Sequence, residues 1–369
     1  MMDNKKIRAI GAGVLVVLWI VLTGFAWFGP AKEMSEAERR PLDQMPEFSA
    51  EQLWNGKFMG AFEDYTLDQF PLRDTFRQLK SLFHYYVMNY KDNNDIYVAD
   101  GYAAKLEYPL RQESLEHALM RFGFVYDTYL KDTDSRIFMS VIPDKGYYLA
   151  EENGYLAMDY AAMQEAFRQG MPWATYVDIT GTLNKESYYF TDTHWRQEHL
   201  LPTAEALCAA MGVTPFDRNG FTETALERPF YGVYYGQAAL PMKPETLYIL
   251  ENEILSQCRV YDHETGKYTD VYNMDMLTSK DLYDVFLSGA KSLMTIENPN
   301  AATDRELIVF RDSFGSSIVP LLVRDYAKVT LVDIRYLSSQ LLGRFLEFNG
   351  QDVLFLYSTL VLNNSTTIK

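Results

Sequence analysis

The C-terminal part of the chain alternates apolar runs with helix-like segments. Residues 306–310, 328–334 and 352–358 are predicted strands, and the segments between them, about 316–326 and 338–349, are predicted helices. Two consecutive β-α-β units require a parallel sheet with helices on both faces. The pattern therefore predicts an α/β fold whose functional residues lie at the carboxyl ends of the strands.

Upstream of this region the pattern is less regular. Residues 136–142 read as a buried strand, and a helix is expected around Pro202. Asp100-Gly101 lies between two short runs and predicts a hairpin with a tight primed turn. Residues 213–300 show no clear period and are expected to be irregular, with a few short strands.

One segment is not globular. Ala9–Phe28 contains no charged residue, and its 20 residues match the length that crosses a bilayer core as a helix. Basic residues precede it, so the positive-inside rule leaves the N-terminus in the cytoplasm and exports the remainder. A cleaved signal peptide is the alternative, but the apolar run is long for one and Trp27–Pro30 is a poor cleavage site. The predicted organisation is a cytoplasmic tail (1–8), a single transmembrane anchor (9–28), a membrane-proximal linker with helices (29–90) and an extracytoplasmic catalytic domain (91–369).

The formal charge is −16, and residues 1–28 carry +2, so the exported part carries −18. Such an acidic surface argues against nucleic acid as a partner. Aromatic residues make up 15% of the chain, and a minority of them on a cleft wall could stack on sugar rings. Cys208 and Cys258 could form a disulfide or remain as two buried thiols.

A serine occurs where the first of the C-terminal strands is expected to turn into a helix. Ser313, in Asp312-Ser313-Phe314-Gly315, follows that strand by three residues. At this position its hydroxyl could act as a nucleophile beside the free backbone N–H groups of a helix start. Capping of the helix by Asp312 and Ser313 is the plainer alternative.

A carboxylate and an imidazole lie close together in the segment Tyr188–Trp195. Asp192 and His194 could orient and deprotonate a serine, because such triads assemble in space and need no fixed order in sequence. A turn aspartate beside a partly buried histidine is the plainer reading. His199 follows five residues after His194, whereas zinc-binding helices space their histidines four apart, so no metal site is predicted.

Together these segments resemble the DHHW family and the alginate O-acetyltransferases. Asp192-Thr-His-Trp195 and the later Arg311-Asp-Ser-Phe-Gly315 carry the resemblance, and matching segments run from Phe70 to Tyr357. The resemblance implies a three-layer α/β/α sandwich of circularly permuted SGNH-hydrolase-like type. It also implies that Ser313 is the nucleophile, His194 the general base and Asp192 its orienting carboxylate.

Further residues are predicted to contact substrate. Lys145 and Tyr147 follow the strand at 136–142, where substrate contacts are expected, although a solvated lysine on a turn is the default explanation. Trp195 and Arg311 adjoin the two motifs, and Arg311 replaces the glycine of the family's Gly-Asp-Ser form. The Gly-x-Asn block that supplies oxyanion donors in SGNH hydrolases is not visible, which leaves Asn363 as the candidate donor.

The resemblance implies an exported enzyme that transfers acetyl groups to a cell-surface polysaccharide without a cofactor. Its expected partners are the polysaccharide, the membrane and a polytopic membrane-bound O-acyltransferase that delivers acetyl groups. Two alternatives stay open, namely an acetylesterase with the same triad and a non-catalytic polysaccharide-binding or assembly protein.

Overall fold

The apolar segment near the N-terminus is one continuous helix in the computed structural model, which describes residues 4–35 and 37–369. This helix, α1, runs Asn4–Phe28, and its segment Arg8–Ala26 is long and apolar enough to cross a bilayer. Residues 1–3 of the predicted cytoplasmic tail lie outside the described residues.

By its internal contacts the chain divides into two units, residues 1–93 with 235–241 and residues 94–234 with 242–369. In the first unit, left-handed Gly56 and Leu72 interrupt the helical region, and Ser49 accepts a hydrogen bond from the backbone N–H of Gln52 at a helix start. After α1 its elements are β1 Met34–Ser35, β2 Arg40–Pro41, α2 Ala50–Trp54, α3 Lys57–Asp68 and α4 Arg73–Leu82, which continues as a π-helical turn, Phe83–Val87.

The second unit contains the central sheet. Its strands are β3 Ile96–Ala99, β4 Tyr102–Lys105, β5 Ile137–Ile142, β6 Thr175–Tyr176, β7 Thr222–Ala225, β8 Tyr248–Glu251, β9 Arg259–Asp262, β10 Lys267–Asp270, β11 Leu293–Glu297, β12 Arg305–Arg311, β13 Tyr326–Val332 and β14 Asp352–Ser358. Its helices are α5 Gln112–Val125, α6 Gly146–Leu149, α7 Tyr160–Gly170, α8 Leu201–Met211, α9 Val233–Ala238 (which runs into the first unit), α10 Glu253–Gln257, α11 Gly315–Ile318 and α12 Thr359–Leu362.

Eight strands form the sheet in the order β10-β9-β11-β13-β12-β14-β5-β6. The pairings from β13 through β12, β14 and β5 to β6 are parallel, whereas β11, β9 and β10 extend the sheet in antiparallel fashion. Since the parallel strands lie side by side, their carboxyl ends share one edge. The predicted α/β fold with a mostly parallel sheet is confirmed.

Both faces of the sheet are buried. Along β12, Val309 belongs to the hydrophobic cluster on one face, together with Leu354 and Leu356 of β14. The next residue, Phe310, belongs to the cluster on the other face, where its ring stacks on Phe355 with centroids 4.8 Å apart. Successive side chains point to opposite faces of a strand, so this alternation places an apolar layer on each side of the sheet.

The hairpin predicted around Asp100-Gly101 is confirmed. Strands β3 and β4 pair in antiparallel register, and both turn residues have positive φ, 52° for Asp100 and 86° for Gly101. Two successive left-handed residues are the requirement of a type I′ turn, which aspartate tolerates and glycine favours.

The two predicted C-terminal helices are wrong in extent. In place of a helix at 316–326 the chain forms the short α11 and then a 3₁₀ helix, Val319–Asp325, in which Pro320 cannot donate a backbone hydrogen bond. In place of a helix at 338–349 there is only a 3₁₀ helix, Ser339–Arg344. Packing decides the second case, because Phe348 stacks on Tyr129 and a Cβ at Gly343 would lie 3.1 Å from the same ring.

The region 213–300 does contain short strands, as predicted, but three of them complete the central sheet. Strands β9 and β10 form a hairpin, and β11 joins β9 to β13. These strands are four or five residues long, which explains why their periodicity is hard to recognise in the sequence.

Candidate active site

The chain turns sharply after β12, and the turn is held by Asp312. One carboxylate oxygen of Asp312 accepts a hydrogen bond from the Phe314 backbone N–H (3.0 Å), and the other accepts from the Ser358 backbone N–H at the end of β14 (2.7 Å). Phe314 is the N-cap residue of α11, and no side chain caps this helix. Capping therefore does not explain Ser313, which is only partly buried.

The histidine lies in a loop whose ends are pinned together. Tyr188 and Trp195 form an antiparallel bridge, and the Tyr189 backbone N–H donates to the His194 carbonyl (3.2 Å). Within the loop, Oδ1 of Asp192 accepts hydrogen bonds from the His194 backbone N–H (3.0 Å) and from Nδ1 of the ring (2.6 Å). Its Oδ2 accepts from the backbone N–H of Val233 (2.8 Å). The carboxylate thus fixes both the backbone and the ring of His194.

The structure brings Asp192, His194 and Ser313 together. Nε2 of His194 lies 2.8 Å from Oγ of Ser313, and the other ring nitrogen faces Asp192. Because the carboxylate can only accept, we assign the proton to Nδ1, which leaves Nε2 free to take the serine proton. The arrangement is chemically suited to activating the Ser313 hydroxyl as a nucleophile.

An aromatic residue that sequence reasoning missed stacks on the imidazole. The rings of Tyr283 and His194 are nearly parallel, with an 8° interplanar angle and centroids 3.9 Å apart. The Tyr283 hydroxyl lies 2.7 Å from Oγ of Ser317, and burial raises its pKa well above the usual value. Tyr283 belongs to a 3₁₀ helix, Leu282–Val285, in the segment predicted to be irregular, and no local motif marks it.

Trp195 links the two loops instead of contacting substrate. Its side chain is fully buried, and Nε1 donates to the Phe314 carbonyl (3.0 Å) and to Oγ of Ser317 (2.9 Å). The predicted substrate contact is therefore wrong. The indole instead holds the histidine loop against the turn that carries Ser313.

Two charged side chains clamp the backbone just before Asp192. Nζ of Lys145 donates to the Tyr189 carbonyl (2.8 Å) and lies 3.4 Å from that of Phe190. The carboxylate of Glu245 accepts hydrogen bonds from the next two backbone N–H groups, those of Phe190 (2.7 Å) and Thr191 (2.9 Å). Carbonyls and N–H groups of the same short segment are thereby satisfied by opposite charges. Glu245 lies in the irregular region, and nothing in its sequence context indicated this role.

Of the two residues predicted after β5, only Tyr147 is accessible. Lys145 is 2% exposed, which contradicts the expectation of a lysine that reaches substrate or solvent. Burial lowers its pKa to about 7, although Glu245 and Asp192 act in the opposite direction. Tyr147 is 39% exposed and packs edge-on against Tyr148 and Tyr160.

Arg311 and Asn363 are also committed to the interior. Arg311 is fully buried; Nη1 donates to the Asp312 carbonyl (3.2 Å), while Nε and Nη2 have no hydrogen-bond partner among the described residues. Nδ2 of Asn363 donates to Glu107 (2.8 Å) and to the Pro109 carbonyl (3.1 Å). Both amide hydrogens are used there, so the prediction that Asn363 supplies an oxyanion donor is wrong.

His194 and His199, the pair considered for metal binding, have different surroundings. Both ring nitrogens of His194 face Asp192 and Ser313, and His199 is an exposed residue at the end of a 3₁₀ helix, Gln197–His199. In residues 4–35 and 37–369 there is no cluster of three or more His, Cys, Asp or Glu side chains suited to a metal ion.

The stacking residue can be tested directly. An imidazolium that forms on the face of an aromatic ring is stabilised by ~0.5–2 kcal/mol. We therefore expect Tyr283→Leu to slow the reaction of Ser313 with a sulfonyl fluoride by roughly 2- to 30-fold. Tyr283→Phe keeps the ring and should retain most of the rate. The rate is measured by mass spectrometry of the intact chain, and equal rates in all three proteins would contradict the proposed role of the ring.

The buried lysine predicts a pH dependence of stability. The pKa of Lys145 is about 7 in the folded chain, against 10.5 for an ordinary lysine. Between these values the unfolded chain binds more protons, so this residue makes the free energy of unfolding increase as the pH rises from about 7 towards 10.5. We expect Lys145→Met to remove this increase. Urea unfolding of both proteins at about pH 6.5 and about pH 9 measures the difference, and parallel pH profiles would contradict the prediction.

Known proteins resemble this chain in part of its sequence and in its fold. The DHHW protein family model matches residues 160–332, a range that contains Asp192, His194 and Ser313. No curated protein matches the sequence. Among solved structures, a DHHW family protein from Eubacterium siraeum is 19% identical, with a TM-score of 0.59 over 75% of this chain and 95% of its own.

Two further proteins with solved structures are similar to this chain at lower identity, and PatB1 shares its fold. Bacillus cereus PatB1 is 16% identical, with a TM-score of 0.58 over 72% of this chain and 96% of its own. For the structure of PatB1 with a sulfonyl adduct the identity is 15% and the TM-score 0.54, over 72% of this chain and 94% of its own. The O-acetyltransferase domain of Pseudomonas putida AlgJ is 14% identical, with a TM-score of 0.44 over 73% of this chain and 92% of its own. The resemblance recognised in the sequence is confirmed: the DHHW protein family model matches residues 160–332, and the α/β fold is like that of the E. siraeum protein.

Proposed function

We propose that this protein is a membrane-anchored O-acetyltransferase that uses Ser313 to pass an acetyl group to a hydroxyl of a cell-surface polysaccharide. The observation that carries the proposal is the continuous hydrogen-bonded path from Asp192 through His194 to Ser313, with steps of 2.6 and 2.8 Å. A partly exposed hydroxyl at the end of such a path is what acyl transfer through a covalent intermediate requires.

In the first half-reaction Oγ of Ser313 attacks the carbonyl carbon of the acetyl donor. Its proton passes to Nε2 of His194, and the imidazolium is stabilised by the Asp192 carboxylate and by the face of Tyr283. The bond to the leaving group then breaks, and the leaving group takes the proton from Nε2. An acetyl ester on Ser313 remains.

In the second half-reaction a sugar hydroxyl attacks this ester. His194 takes the proton of the incoming hydroxyl and returns it to Oγ of Ser313 as the acetyl group leaves. Transfer competes with hydrolysis, so the acceptor has to exclude water from the ester. An esterase would run the same steps with water in place of the sugar.

The acetyl group and the polysaccharide acceptor are proposed from the motifs that this chain shares with the DHHW family and the alginate O-acetyltransferases. A local feature agrees with a sugar acceptor. Tyr147 lies in α6, five residues after the end of β5, and its ring is 39% exposed. The carboxyl end of β5 lies on the same sheet edge as that of β12. Exposed aromatic rings are suited to stacking on the apolar faces of sugars.

The anchor would hold the protein beside the expected acetyl donor in the membrane. A polytopic membrane-bound O-acyltransferase would bring acetyl groups to the outer face of the membrane, where a protein held by α1 could receive them. Lys5, Lys6 and Arg8 precede the apolar segment, which favours a cytoplasmic N-terminus and an extracytoplasmic catalytic unit.

The covalent step is tested by trapping. The full-length protein should form an acetyl-enzyme with an activated acetyl ester and a sulfonyl adduct with a sulfonyl fluoride, both on Ser313. Ser313→Ala should abolish both products. The control Ser316→Ala alters a serine three positions further along, in α11, and should preserve both. His194→Ala should also abolish acetylation, and the double variant should be little worse than either single variant, because triad members act as a unit.

The outcome also separates the candidate functions. Acetylated oligosaccharide formed in the presence of acceptor supports the transferase, and release of acetate alone supports an esterase. Undiminished acetyl transfer by a well-folded Ser313→Ala protein would exclude the covalent serine mechanism. If the wild-type protein forms neither the acetyl-enzyme with the activated ester nor the sulfonyl adduct, the binding-protein alternative is favoured.

The orientation is tested with a reporter fused to the C-terminus. We expect an enzyme that is active only outside the cytoplasm to be active in this fusion, because the basic residues retain the N-terminus inside. Reversing the charges of Lys5, Lys6 and Arg8 should reduce the activity. A mature soluble protein that begins near Pro30 would show that the segment is cleaved as a signal peptide.

A further inference from the structure

The helices that follow the apolar N-terminal segment bury polar residues and expose apolar ones. In α2, α3, α4 and the π-helical turn, the buried residues are Asp68 and Ser81. Between residues 45 and 90 the exposed large apolar side chains are Met45, Phe48, Leu53, Trp54, Met59, Leu67, Leu72, Phe76, Leu79, Phe83, Tyr86, Val87, Met88 and Tyr90. This is the reverse of a helix that packs on a globular core in water.

The buried polar residues of this first unit are held by specific hydrogen bonds and ion pairs. Asp68 accepts hydrogen bonds from both terminal nitrogens of Arg40 (2.7 and 2.6 Å) and from the backbone N–H of Asp43 (2.9 Å). Glu38 pairs with Arg73 at 2.5 Å and with Arg77 at 3.0 Å. The hydroxyl of Ser81 donates to the Ala238 carbonyl (2.6 Å). The helices are therefore held in this orientation by specific polar contacts, and the exposure of their apolar faces follows from it.

The clearest apolar stripe lies on α4 and the turn that follows. Leu72, Phe76, Leu79, Phe83 and Tyr86 recur at steps of four and three, and each is at least 44% exposed. Side chains at such steps share one face of a helix. The stripe by itself would suit either a partner helix or a lipid surface.

Three observations favour the lipid surface. The apolar faces extend over α2 and α3 as well, where Trp54 is 94% exposed, so the surface is broader than a single helix–helix seam. In α4 the basic residues Arg73 and Arg77 are paired with Glu38, whereas Lys80 is exposed and can contact anionic headgroups. Gln69, directly after α3, accepts a hydrogen bond from the backbone N–H of Lys32 (2.8 Å) and donates to its carbonyl (2.9 Å). Because Lys32 is four residues past the end of α1, these bonds keep the helices close to a bilayer that α1 spans.

We infer that residues 48–90 lie in the interfacial layer of the membrane spanned by α1, with their exposed apolar side chains at the boundary between headgroups and acyl chains. Tyrosine and tryptophan are favoured at this depth because their rings are apolar and their polar tips remain hydrated. The first unit would thus bind the membrane through a second contact in addition to the spanning helix. The inference depends on the proposed anchor and is independent of the triad, so either can fail alone.

The chain is well suited to a spin-label test. Its two cysteines, Cys208 and Cys258, are buried free thiols, and burial raises the pKa of each to about 12, so they react slowly with thiol reagents. Leu79→Cys and Phe83→Cys place a nitroxide on the stripe. Met120→Cys on α5 is the matched control, because Met120 and Leu79 are both 57% exposed. At such exposed positions the substitution removes little buried contact.

The labelled full-length proteins are reconstituted in phosphatidylcholine vesicles that contain phosphatidylglycerol. Collisions of the nitroxide with oxygen, which concentrates in lipid, are compared with collisions with a water-soluble nickel chelate. We expect the labels at positions 79 and 83 to favour oxygen over nickel by several-fold, and the label at position 120 to favour nickel. The mass of the purified chain shows in the same sample whether α1 is retained.

Two results would overturn the inference. If the labels at positions 79 and 83 behave like the label at position 120, the stripe faces water. If they are protected from both oxygen and nickel, protein covers the stripe, and dipolar broadening between labels on two copies would identify self-association. Vesicles of phosphatidylcholine alone separate the apolar contribution from the charge contribution, since loss of the oxygen preference there would show that the basic residues are required.

Discussion

The site depends on keeping the carboxylate of Asp192 satisfied inside the protein. A buried carboxylate without partners is costly, and here three N–H groups surround it, one from Val233 and two from His194. The contact with Val233 requires close approach of the neighbouring backbone. A Cβ at Gly232 would collide with the backbone of Asp192, so glycine at this position is a steric requirement of the site. The orientation of the imidazole follows from these contacts.

Around this centre the loops are held by side chains that do no chemistry themselves. Lys145 and Glu245 satisfy the carbonyls and N–H groups of the segment before Asp192. Trp195 ties the histidine loop to the serine turn, and Tyr283 packs on the open face of the imidazole. Such supporting contacts suit the proposed roles of Ser313 and His194, because a nucleophile and its base have to be held at hydrogen-bond distance before substrate arrives. Lys145 and Trp195, which the sequence suggested as substrate contacts, have this supporting role.

The first unit shows how far periodicity can be trusted. The helices predicted within residues 29–90 are present, and the spacing of Phe76, Leu79 and Phe83 gives α4 and the turn that follows it an apolar face. It could not indicate what the face contacts, because the same spacing arises for a protein core, a partner helix and a lipid surface. Burial of Ser81 and Asp68, with the apolar side chains exposed, shows that this face does not pack on a core of the described residues, and burial is a property of the folded chain.

The sequence by itself determined the α/β class, the apolar segment of α1 and the hairpin at Asp100-Gly101. Its motifs also singled out Asp192, His194 and Ser313, which the structure brings within hydrogen-bond distance. These depend on local patterns: alternating apolar runs, an uncharged stretch of membrane length, a turn that needs positive φ, and short motifs. Only the tertiary structure decided the burial of Lys145 and Arg311, the commitment of Asn363 elsewhere, and the recruitment of Glu245 and Tyr283. His194 and Ser313 are 119 positions apart, and Tyr283 reaches them from a short 3₁₀ turn without a motif. Contacts between segments so distant along the chain depend on how the sheet and its connections pack, and local sequence carries no record of that packing.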